Sequence, residues 1–337
     1  MSTITIQVLA DTLKISKATV SKALRDSHEI SRETKKKVRD LAAKLNYSPN
    51  PYASSLRKKK SKTIAVVMPE IADSFFSLVI NGIQSVAEKK GYHVLIYLSH
   101  EKYSNEKNIV NEIQNGRIDG LLISISRETK NGDHIKKLQS AGVPIVFFDR
   151  ELETVHTASV VTNDFECGYS ATKLLLSKAV KRPLFISHSA SLPICKKRED
   201  GFKSALKDAG YSKKDILVIY GTDNEKDNHI LIKKTLAGKR KPDAILASVE
   251  KIAIQVYIAA QELDVKIPEH LKLLAFSNIE TAALLNPPLS TITQPAFEIG
   301  KSAATLLFKG IEKKHFRLET EKIIIPSVLM ERTSTGN

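Results

Sequence analysis

The 337-residue sequence lacks the features that mark secreted or membrane-spanning chains. Cysteine occurs only twice, as Cys167 and Cys195, which is too few for a disulfide framework and has no zinc-site spacing. No apolar run approaches the ~20 residues that cross a bilayer, and the N-terminus has no apolar signal segment. We therefore expect a cytoplasmic protein with no membrane partner.

Motifs for catalysis are also missing. The sequence has no phosphate-binding loop, no G-x-G-x-x-G fingerprint, no zinc signature and no nucleophile elbow. We therefore predict that the protein is not an enzyme and that it needs no cofactor or metal. A small-molecule-binding protein and a nucleic-acid-binding protein remain open at this point.

Positive charge is concentrated at the N-terminal end. The net charge is +15, and residues 1–62 hold 15 Lys and Arg against 5 Asp and Glu. The other 275 residues hold 37 against 32, a net charge of only +5. A basic excess in one short segment favours a nucleic-acid partner for that segment and a neutral partner for the rest.

The N-terminal segment predicts two short helices around a tight turn. Apolar residues of positions 6–10 recur at helical spacing. Ser16 can cap a second helix from Lys17 to Leu24. That helix buries Val20 and Leu24, and its outer face is small, polar and cationic. A narrow helix with such a face can enter the major groove of DNA.

A third helix completes this domain. Ser31 can cap a helix that continues to about Asn46, with an apolar face that packs on the first two helices. Residues 1–47 therefore predict an all-α helix-turn-helix domain.

Residues 48–61 predict a hinge helix and linker. Asn50 followed by Pro51 is a preferred helix start. The helix would have one or two turns, and so short a helix is unstable alone. Leu56 lies beside four consecutive cations, where it is either a packing residue or a wedge for the minor groove.

From residue 62 onward, β-branched runs alternate with amphipathic helices. This pattern is typical of parallel sheets covered on both faces. The alternation breaks near residues 152–158 and then restarts, which predicts an α/β body of two Rossmann-like subdomains. Ligands bind such folds at the carboxyl ends of the strands.

The motifs S-K-A-T-V-S-K-A-L (16–24), L-N-Y-S-P-N (45–50) and A-x-S-L (53–56) resemble those of the LacI/GalR family of bacterial transcription regulators. The resemblance implies a homodimer that binds palindromic double-stranded operator DNA. It implies base contacts from Lys17, Ala18 and Lys22, and a minor-groove wedge at Leu56. The other DNA contacts that we expect are at Thr5, Ser16, Thr19, Ser21, Ser31, Thr34, Asn50 and Ala53. Lys14 departs from the family pattern, which has glycine in this turn.

The body also resembles this family and, through it, type I periplasmic sugar-binding proteins. The resemblance implies an effector-binding domain of residues 62–332, with an N-subdomain of 62–161 and 292–321. The C-subdomain would contain 162–291 and 322–332, so the chain would cross between them near 161–164, 291–294 and 320–322. The C-terminus has no leucine heptad for a tetramer, so a dimer is expected.

The resemblance places a small-molecule effector, a sugar or a sugar derivative, between the subdomains. The residues that we expect around it are Phe75, Phe76, Asp149, Arg150, Arg198, Thr222, Ser277 and Asn278. Arg198 matches an effector-contacting arginine of the family, whereas Asp149 and Arg150 could instead pair with each other. Ser277 and Asn278 replace two acids that the family commonly has. This change suits another hydroxyl pattern or an anionic ligand, and a purine corepressor is the alternative to a sugar.

Overall fold

The computed structural model describes residues 4–47, 61–114, 117–222, 224–313 and 316–336. The chain divides into two compact units, residues 1–61 and residues 62–337. The first unit is a small helical head, and the second is a larger α/β body.

Within its described residues, the head contains three helices: α1 (Ile6–Leu13), α2 (Lys17–Leu24) and α3 (Arg32–Lys44). Each helix contributes two buried apolar residues to one core, which are Leu9, Ala10, Val20, Ala23, Val38 and Ala42. Leu24, which the sequence pattern places in this core, is only partly buried at its edge. Ala23 takes the central position instead, three residues after Val20 and on the same side of the helix.

The starts of α2 and α3 are capped by the predicted serines. Ser16 Oγ accepts a hydrogen bond from the Thr19 amide (3.0 Å), and Ser31 Oγ accepts one from the Thr34 amide (3.2 Å). Lys14 ends α1 in the left-handed conformation, with φ 53° and ψ 41°. A lysine pays a conformational cost there that glycine avoids, so the departure at Lys14 leaves this turn strained.

The body contains two six-stranded sheets, each with helices on both faces. The first sheet has the order β11-β5-β4-β3-β1-β2. Its strands are β1 (Thr63–Met68), β2 (His93–Leu98), β3 (Gly120–Ile123), β4 (Ile145–Phe148), β5 (Ala158–Val161) and β11 (Lys322–Ile324). One face is covered by α4 (Ser74–Lys90) and α11 (Ala296–Glu312), and the other by α5 (Tyr103–Ile113) and α6 (Asp133–Ser140). These elements are called the N-lobe.

The second sheet has the order β12-β10-β9-β8-β6-β7. Its strands are β6 (Pro183–Ser187), β7 (Leu217–Tyr220), β8 (Ala244–Ala247), β9 (Lys272–Phe276), β10 (Ser290–Thr293) and β12 (Val328–Met330). Helices α7 (Asp164–Ser177) and α8 (Pro193–Asp208) cover one face, and α9 (Glu225–Ala237) and α10 (Glu250–Glu262) cover the other. These elements form the C-lobe, in which all pairs are parallel except the antiparallel pair of β10 and β12.

Strand pairing corrects two of the predicted subdomain boundaries. Strand β11 pairs in parallel with β5, so residues 322–324 belong to the N-lobe and not to the C-subdomain. Strand β10 pairs with β9, so residues 292–293 belong to the C-lobe. The chain therefore crosses between lobes after 161, after 293 and after 324. The sequence pattern does not reveal that β11 pairs with β5, because the two strands are more than 150 residues apart in the chain.

Both lobes contain a helix pair that crosses at glycine. A Cβ atom on Gly82 of α4 would lie 2.1 Å from the carbonyl oxygen of Phe297 in α11. A Cβ atom on Gly168 of α7 would lie 2.2 Å from the carbonyl oxygen of Arg198 in α8. Only glycine allows backbones to approach so closely. In the C-lobe this contact sets the position of the Arg198 backbone.

Candidate functional site

The solvent-facing side of α2 carries the residues that we predict to read DNA bases. Lys17 and Ala18 are exposed, and Lys22 is half-buried with its ammonium paired to Glu29. This ion pair lowers the pKa of the Glu29 carboxyl. Because the pair is open to water, it is weak enough for Lys22 to exchange Glu29 for another acceptor.

Apart from Ser21, the other predicted DNA contacts among the described residues lie at the amino ends of α1, α2 and α3. Two pairs of hydroxyls, Ser16 with Thr19 and Ser31 with Thr34, are each 2.9 Å apart. Thr5 is exposed just before α1, and Ser21 Oγ in α2 accepts a hydrogen bond from Arg25. Helix amino ends suit phosphate oxygens. The predicted contacts at Asn50, Ala53 and Leu56 lie outside the described residues.

In the body, a narrow cavity of about 40 Å³ lies between the two lobes. Its residues lie at or after the carboxyl ends of β1, β4, β6, β8, β9 and β10. Seven of the predicted effector residues line it: Phe75, Phe76, Asp149, Arg150, Arg198, Ser277 and Asn278. The folded chain therefore brings together residues that are up to 203 positions apart, and their contact with an effector remains a prediction.

Thr222 does not line this cavity. It follows β7, the edge strand of the C-lobe sheet, and it lines a separate depression with Asn228. Its amide donates to Asn228 Oδ1 (2.7 Å), and its carbonyl accepts from Asn228 Nδ2 (2.8 Å). This second depression also lies between the lobes, because Glu70 and Glu101 of the N-lobe line it, so the contact of Thr222 with an effector remains a prediction.

The cavity also contains residues that we did not predict: Asp73, Ile194, Val249, Glu250, Phe276 and Gln294. A sequence signal was present for two of them. Asp73 directly precedes a helix, where an Asp commonly caps, and its carboxylate accepts from the Phe75 amide (2.8 Å). Glu250 is the first residue of the helix after β8, which puts it at a strand end.

Arg198 is buried and held on three sides. Its Nε donates to Asp164 Oδ1 (2.6 Å), and its Nη1 donates to the carbonyl oxygen of Ser248 (2.7 Å). The guanidinium lies 4.0 Å from the centre of the Phe276 ring, which favours a cation. Burial opposes the charge, but attraction to Asp164 together with the other nearby negative groups raises the pKa of Arg198. Its Nη2 has no hydrogen-bond partner among the described residues, so it is available to a ligand.

Arg150 is bound mainly by a residue that we did not expect. Its Nη1 lies 2.9 Å from both carboxylate oxygens of Glu101, whereas its Nε lies 3.5 Å from Asp149 Oδ2. Pairing between Asp149 and Arg150 is therefore secondary. Asp149 itself has φ 61° and is almost fully buried.

Glu250 places a carboxylate beside Ser277. Its Oε2 accepts hydrogen bonds from Ser277 Oγ (3.1 Å) in the C-lobe and from Ser74 Oγ (2.8 Å) in the N-lobe. The next residue, Lys251, forms an ion pair with Glu70 of the N-lobe (2.7 Å). These two adjacent contacts link the lobes across the cavity.

Two acids at the cavity have raised pKa values. Burial, followed by repulsion from Glu250, raises the pKa of Asp73 to about 6. Burial also raises the pKa of Asp149 to about 6, against the opposing attraction of Arg150 and Arg198. Both carboxyl groups therefore change their charge between pH 5 and 7.

Asn278 and Gln294 form the remaining polar wall. Asn278 Nδ2 donates to the Gln294 carbonyl oxygen (2.6 Å), and the Gln294 amide donates to Asn278 Oδ1 (3.2 Å). The side-chain amide of Gln294 has no partner for its Nε2 among the described residues. The wall thus offers a second unused donor beside that of Arg198.

A helix-turn-helix head joined to a two-lobed α/β body with a polar cavity between its lobes defines a ligand-responsive DNA-binding regulator. Residues 61–333 match the family described as periplasmic binding proteins and sugar binding domain of LacI family. Residues 5–50 match bacterial regulatory proteins of the lacI family. The chain belongs to the LacI family of bacterial transcriptional regulators, whose members are DNA-binding proteins and not enzymes.

Known relatives match over almost the whole chain. Catabolite control protein A of Priestia megaterium is 27% identical over 334 residues, which cover 98% of this chain and 99% of that protein. The HTH-type transcriptional repressor PurR of Vibrio atlanticus is 27% identical over 312 residues, which cover 92% of each.

Solved structures share the fold. The lac repressor dimer bound to operator and the anti-inducer ONPF matches with a TM-score of 0.87 and 20% identity, over all of both chains. A LacI family regulator from Enterococcus faecium with bound ribose matches with a TM-score of 0.73 and 24% identity, over 81% of this chain and 98% of that one. In the part of this chain that the structure describes, no helix is long and apolar enough to cross a membrane.

Proposed function

We propose that this regulator is a homodimeric repressor that binds a palindromic operator through its head and is controlled by a neutral, polyhydroxylated effector, a carbohydrate, between its lobes. The observation that carries the effector class is the position of Glu250. Its carboxylate compensates for the acids missing at Ser277 and Asn278. The body therefore keeps an acidic acceptor for sugar hydroxyl groups.

The charge around the cavity supports a neutral ligand. The two guanidinium groups, Arg150 and Arg198, already pair with Glu101 and Asp164. The carboxyl groups of Asp73, Asp149 and Glu250 add further negative charge to the lining. An anionic ligand would be repelled there, whereas hydroxyl groups can donate to carboxylates. The negative charge of these carboxyl groups therefore disfavours an anionic effector, which was one of the alternatives based on Ser277 and Asn278.

The remaining lining suits a sugar ring. Arg198 Nη2 and Gln294 Nε2 are donors without a partner among the described residues. The rings of Phe75, Phe76 and Phe276 provide apolar surface beside these polar groups. A few directed polar groups on an apolar lining are typical of small-molecule sites.

Effector binding would have to open the cavity, and we infer that this opening is the allosteric step. A cavity of about 40 Å³ is far smaller than the roughly 300 Å³ or more of typical ligand pockets. A ligand that enters must replace the Ser74–Glu250 and Lys251–Glu70 contacts with its own. The ligand can shift the lobes from the closed to the open arrangement, and so change DNA affinity, only if it binds the two arrangements with different affinity.

Exposed apolar side chains support a homodimer. Leu95 and Ile96 are each 39% exposed on the edge strand β2, and Leu284 is 81% exposed. Apolar side chains at a sheet edge commonly mark a protein interface. Two copies related by a twofold axis would present two heads to the two halves of a palindrome.

A thermal-shift screen of the full chain tests the effector class. We expect a neutral mono- or disaccharide to raise the melting temperature by mass action, and sugar phosphates and purine bases to leave it unchanged. In Glu250→Gln the shift by the same sugar should shrink, whereas Lys234→Ala, at an exposed residue of α9 outside the cavity, should keep the wild-type shift. A shift only with a purine base would support a purine-responsive repressor instead, and a shift only with a sugar phosphate would refute the charge argument.

A further inference from the structure

A cationic surface unrelated to the cavity lies at the opposite end of the C-lobe. Strands β8, β6 and β7 are parallel neighbours, so the loops that enter them meet at one end of the sheet. These loops are residues 238–243, 178–182 and 209–216. The effector cavity lies at the carboxyl ends of the strands, so these amino-end loops face away from it.

These three loops account for the positive charge of the whole body. They contain eight Lys and Arg against two Asp, a net charge of +6. Residues 63–337 together carry +5, so the rest of the body carries −1. Outside the head and its linker, these three loops therefore account for the whole net positive charge.

Most of these cations are not neutralised by the protein itself. Lys178 pairs with Glu331 (2.6 Å), but Lys181, Arg182, Lys214 and Arg240 form no ion pair with any described residue. The loop acids serve local structure instead. Asp243 accepts hydrogen bonds from the backbone amides of Lys181 and Arg182 (2.8 Å each), and Asp215 accepts one from Ser212. The fold thus keeps the cationic side chains in water.

The cations surround a shallow depression with an apolar component. The depression, of about 460 Å³, is lined by Lys181, Arg182, Lys214 and Arg240 together with Ala209, Tyr211 and Leu217. The four cationic side chains are exposed, whereas Tyr211 and Leu217 are half-buried. Apolar residues inside a charged rim form the usual anatomy of a protein–protein interface.

We propose that this surface docks an acidic segment of a partner protein, with an apolar side chain of that segment against Tyr211 and Leu217. Negative side chains of the segment pair with the four cations. Duplex DNA would satisfy the cations but offers no apolar side chain for the depression. Free phosphate likewise leaves the apolar residues exposed. The occupant that uses both components is an acidic peptide segment.

A charge-matched pair of double variants tests the surface in the full chain. The probe is a fluorescent ten-residue peptide of Asp and Glu with one central leucine. We expect Arg182→Glu with Arg240→Glu to weaken peptide binding about tenfold or more, because cations that attract the peptide become repulsive. Lys173→Glu with Lys234→Glu changes the net charge equally, on exposed lysines of α7 and α9, and should change the affinity less than about twofold.

Competing occupants give distinct results in the same assay. Replacing the central leucine by serine should weaken binding to the wild type but not to the Arg182/Arg240 variant. Equal weakening in both double variants would overturn the proposal, as would a serine peptide that binds as well as the leucine peptide. If a 20-base-pair random duplex loses as much affinity as the peptide in the Arg182→Glu/Arg240→Glu variant, the surface would be assigned to DNA. Displacement of the peptide by millimolar inorganic phosphate would assign it to a small anion.

A milder variant keeps the test decisive if charge reversal prevents folding. Lys181→Gln with Lys214→Gln removes two cations without introducing repulsion, and neither side chain is buried. We expect an intermediate loss of peptide affinity with an unchanged melting temperature. Wild-type peptide affinity in this variant would refute the role of the cluster.

Discussion

Each buried arginine at the interlobe cavity has a carboxylate of its own. Arg198 pairs with Asp164, and Arg150 pairs with Glu101. A buried cation without such a partner would cost several kcal/mol, so the pairing is required before any ligand is considered. The arginines therefore act as oriented hydrogen-bond donors more than as net charges.

Asp149 is expected to make stability depend on pH. Its pKa is about 6 in the folded chain and 3.8 as a free side chain. The stabilisation from its protonated form is complete below pH 4 and is lost as the pH rises through 6. The free energy of unfolding of the wild type, relative to Asp149→Asn, should therefore fall by up to about 3 kcal/mol between pH 4 and 7.

Urea unfolding of both proteins at pH 4, 5, 6 and 7 measures this difference. Asparagine tolerates the left-handed backbone of residue 149. Asp264→Asn, at an exposed residue with φ 51°, controls for that conformation. A difference between wild type and Asp149→Asn that does not vary with pH would show that another group titrates.

Lys22 is expected to affect DNA specificity more than DNA affinity in general. Replacement by alanine should reduce the preference for operator over random DNA by about 1–3 kcal/mol, the usual value of one base contact. Fluorescence anisotropy with operator and random DNA at one salt concentration measures this preference. Lys36→Ala, at an exposed residue of α3, is the control. An equal loss on both DNAs would make Lys22 a phosphate contact.

At the scale of elements, the two lobes use the same helix packing. In each lobe, two helices on one sheet face approach so closely that glycine is required, at Gly82 and at Gly168. In the C-lobe the helix partner carries Arg198, so helix packing and cavity geometry are coupled there. The N-lobe pair places Phe75 and Phe76 at the start of α4.

Alanine at either crossing glycine should destabilise the body. Gly82→Ala and Gly168→Ala each place a Cβ against a backbone oxygen, and overpacking of this kind costs about 1–3 kcal/mol or more. Gly238→Ala is the matched control, because its nearest neighbour would be 3.4 Å away and its φ is −70°. Thermal or urea unfolding should show losses for the first two only. A fully stable Gly168→Ala would mean that α7 and α8 pack less closely.

At the scale of the molecule, the net charge is divided unequally between the head with its linker and the body. The head and linker carry +10 of the total +15, in keeping with the DNA-binding class of the family. The body carries +5, and its helix-to-strand loops at one end of the C-lobe account for all of it. The cavity lining combines Arg150 and Arg198 with the carboxyl groups of Asp73, Asp149 and Glu250.

A dimer should need both halves of its operator. We expect a palindromic operator to bind at least about 100-fold more tightly than one half-site, because the second head binds at a high effective concentration. Gel-shift titration of the two DNAs, with sedimentation of the free protein, measures this. Leu95→Glu with Ile96→Glu at the edge of β2 should weaken dimerisation and remove the advantage of the palindrome. Equal affinities with a stable dimer would contradict the proposed geometry.

The sequence by itself determined the local features of this protein. Serine caps, helical spacing and the alternation of strands and helices predicted the head and the α/β body, because these signals act within a few residues of the chain. The strand-end position of Asp149 and Arg150 favoured them as cavity residues, whereas Arg198 was predicted only from its match to the family motif. The LacI-family motifs then connected this arrangement to a regulatory class.

Only the tertiary structure decided the contacts between distant segments. It assigned β11 to the N-lobe, placed Thr222 at a second depression between the lobes and brought Glu250 to Ser277 and Ser74. It also gathered three separate basic loops into one surface. Strand order and lobe contact depend on the packing of the whole chain, so no local pattern contains them.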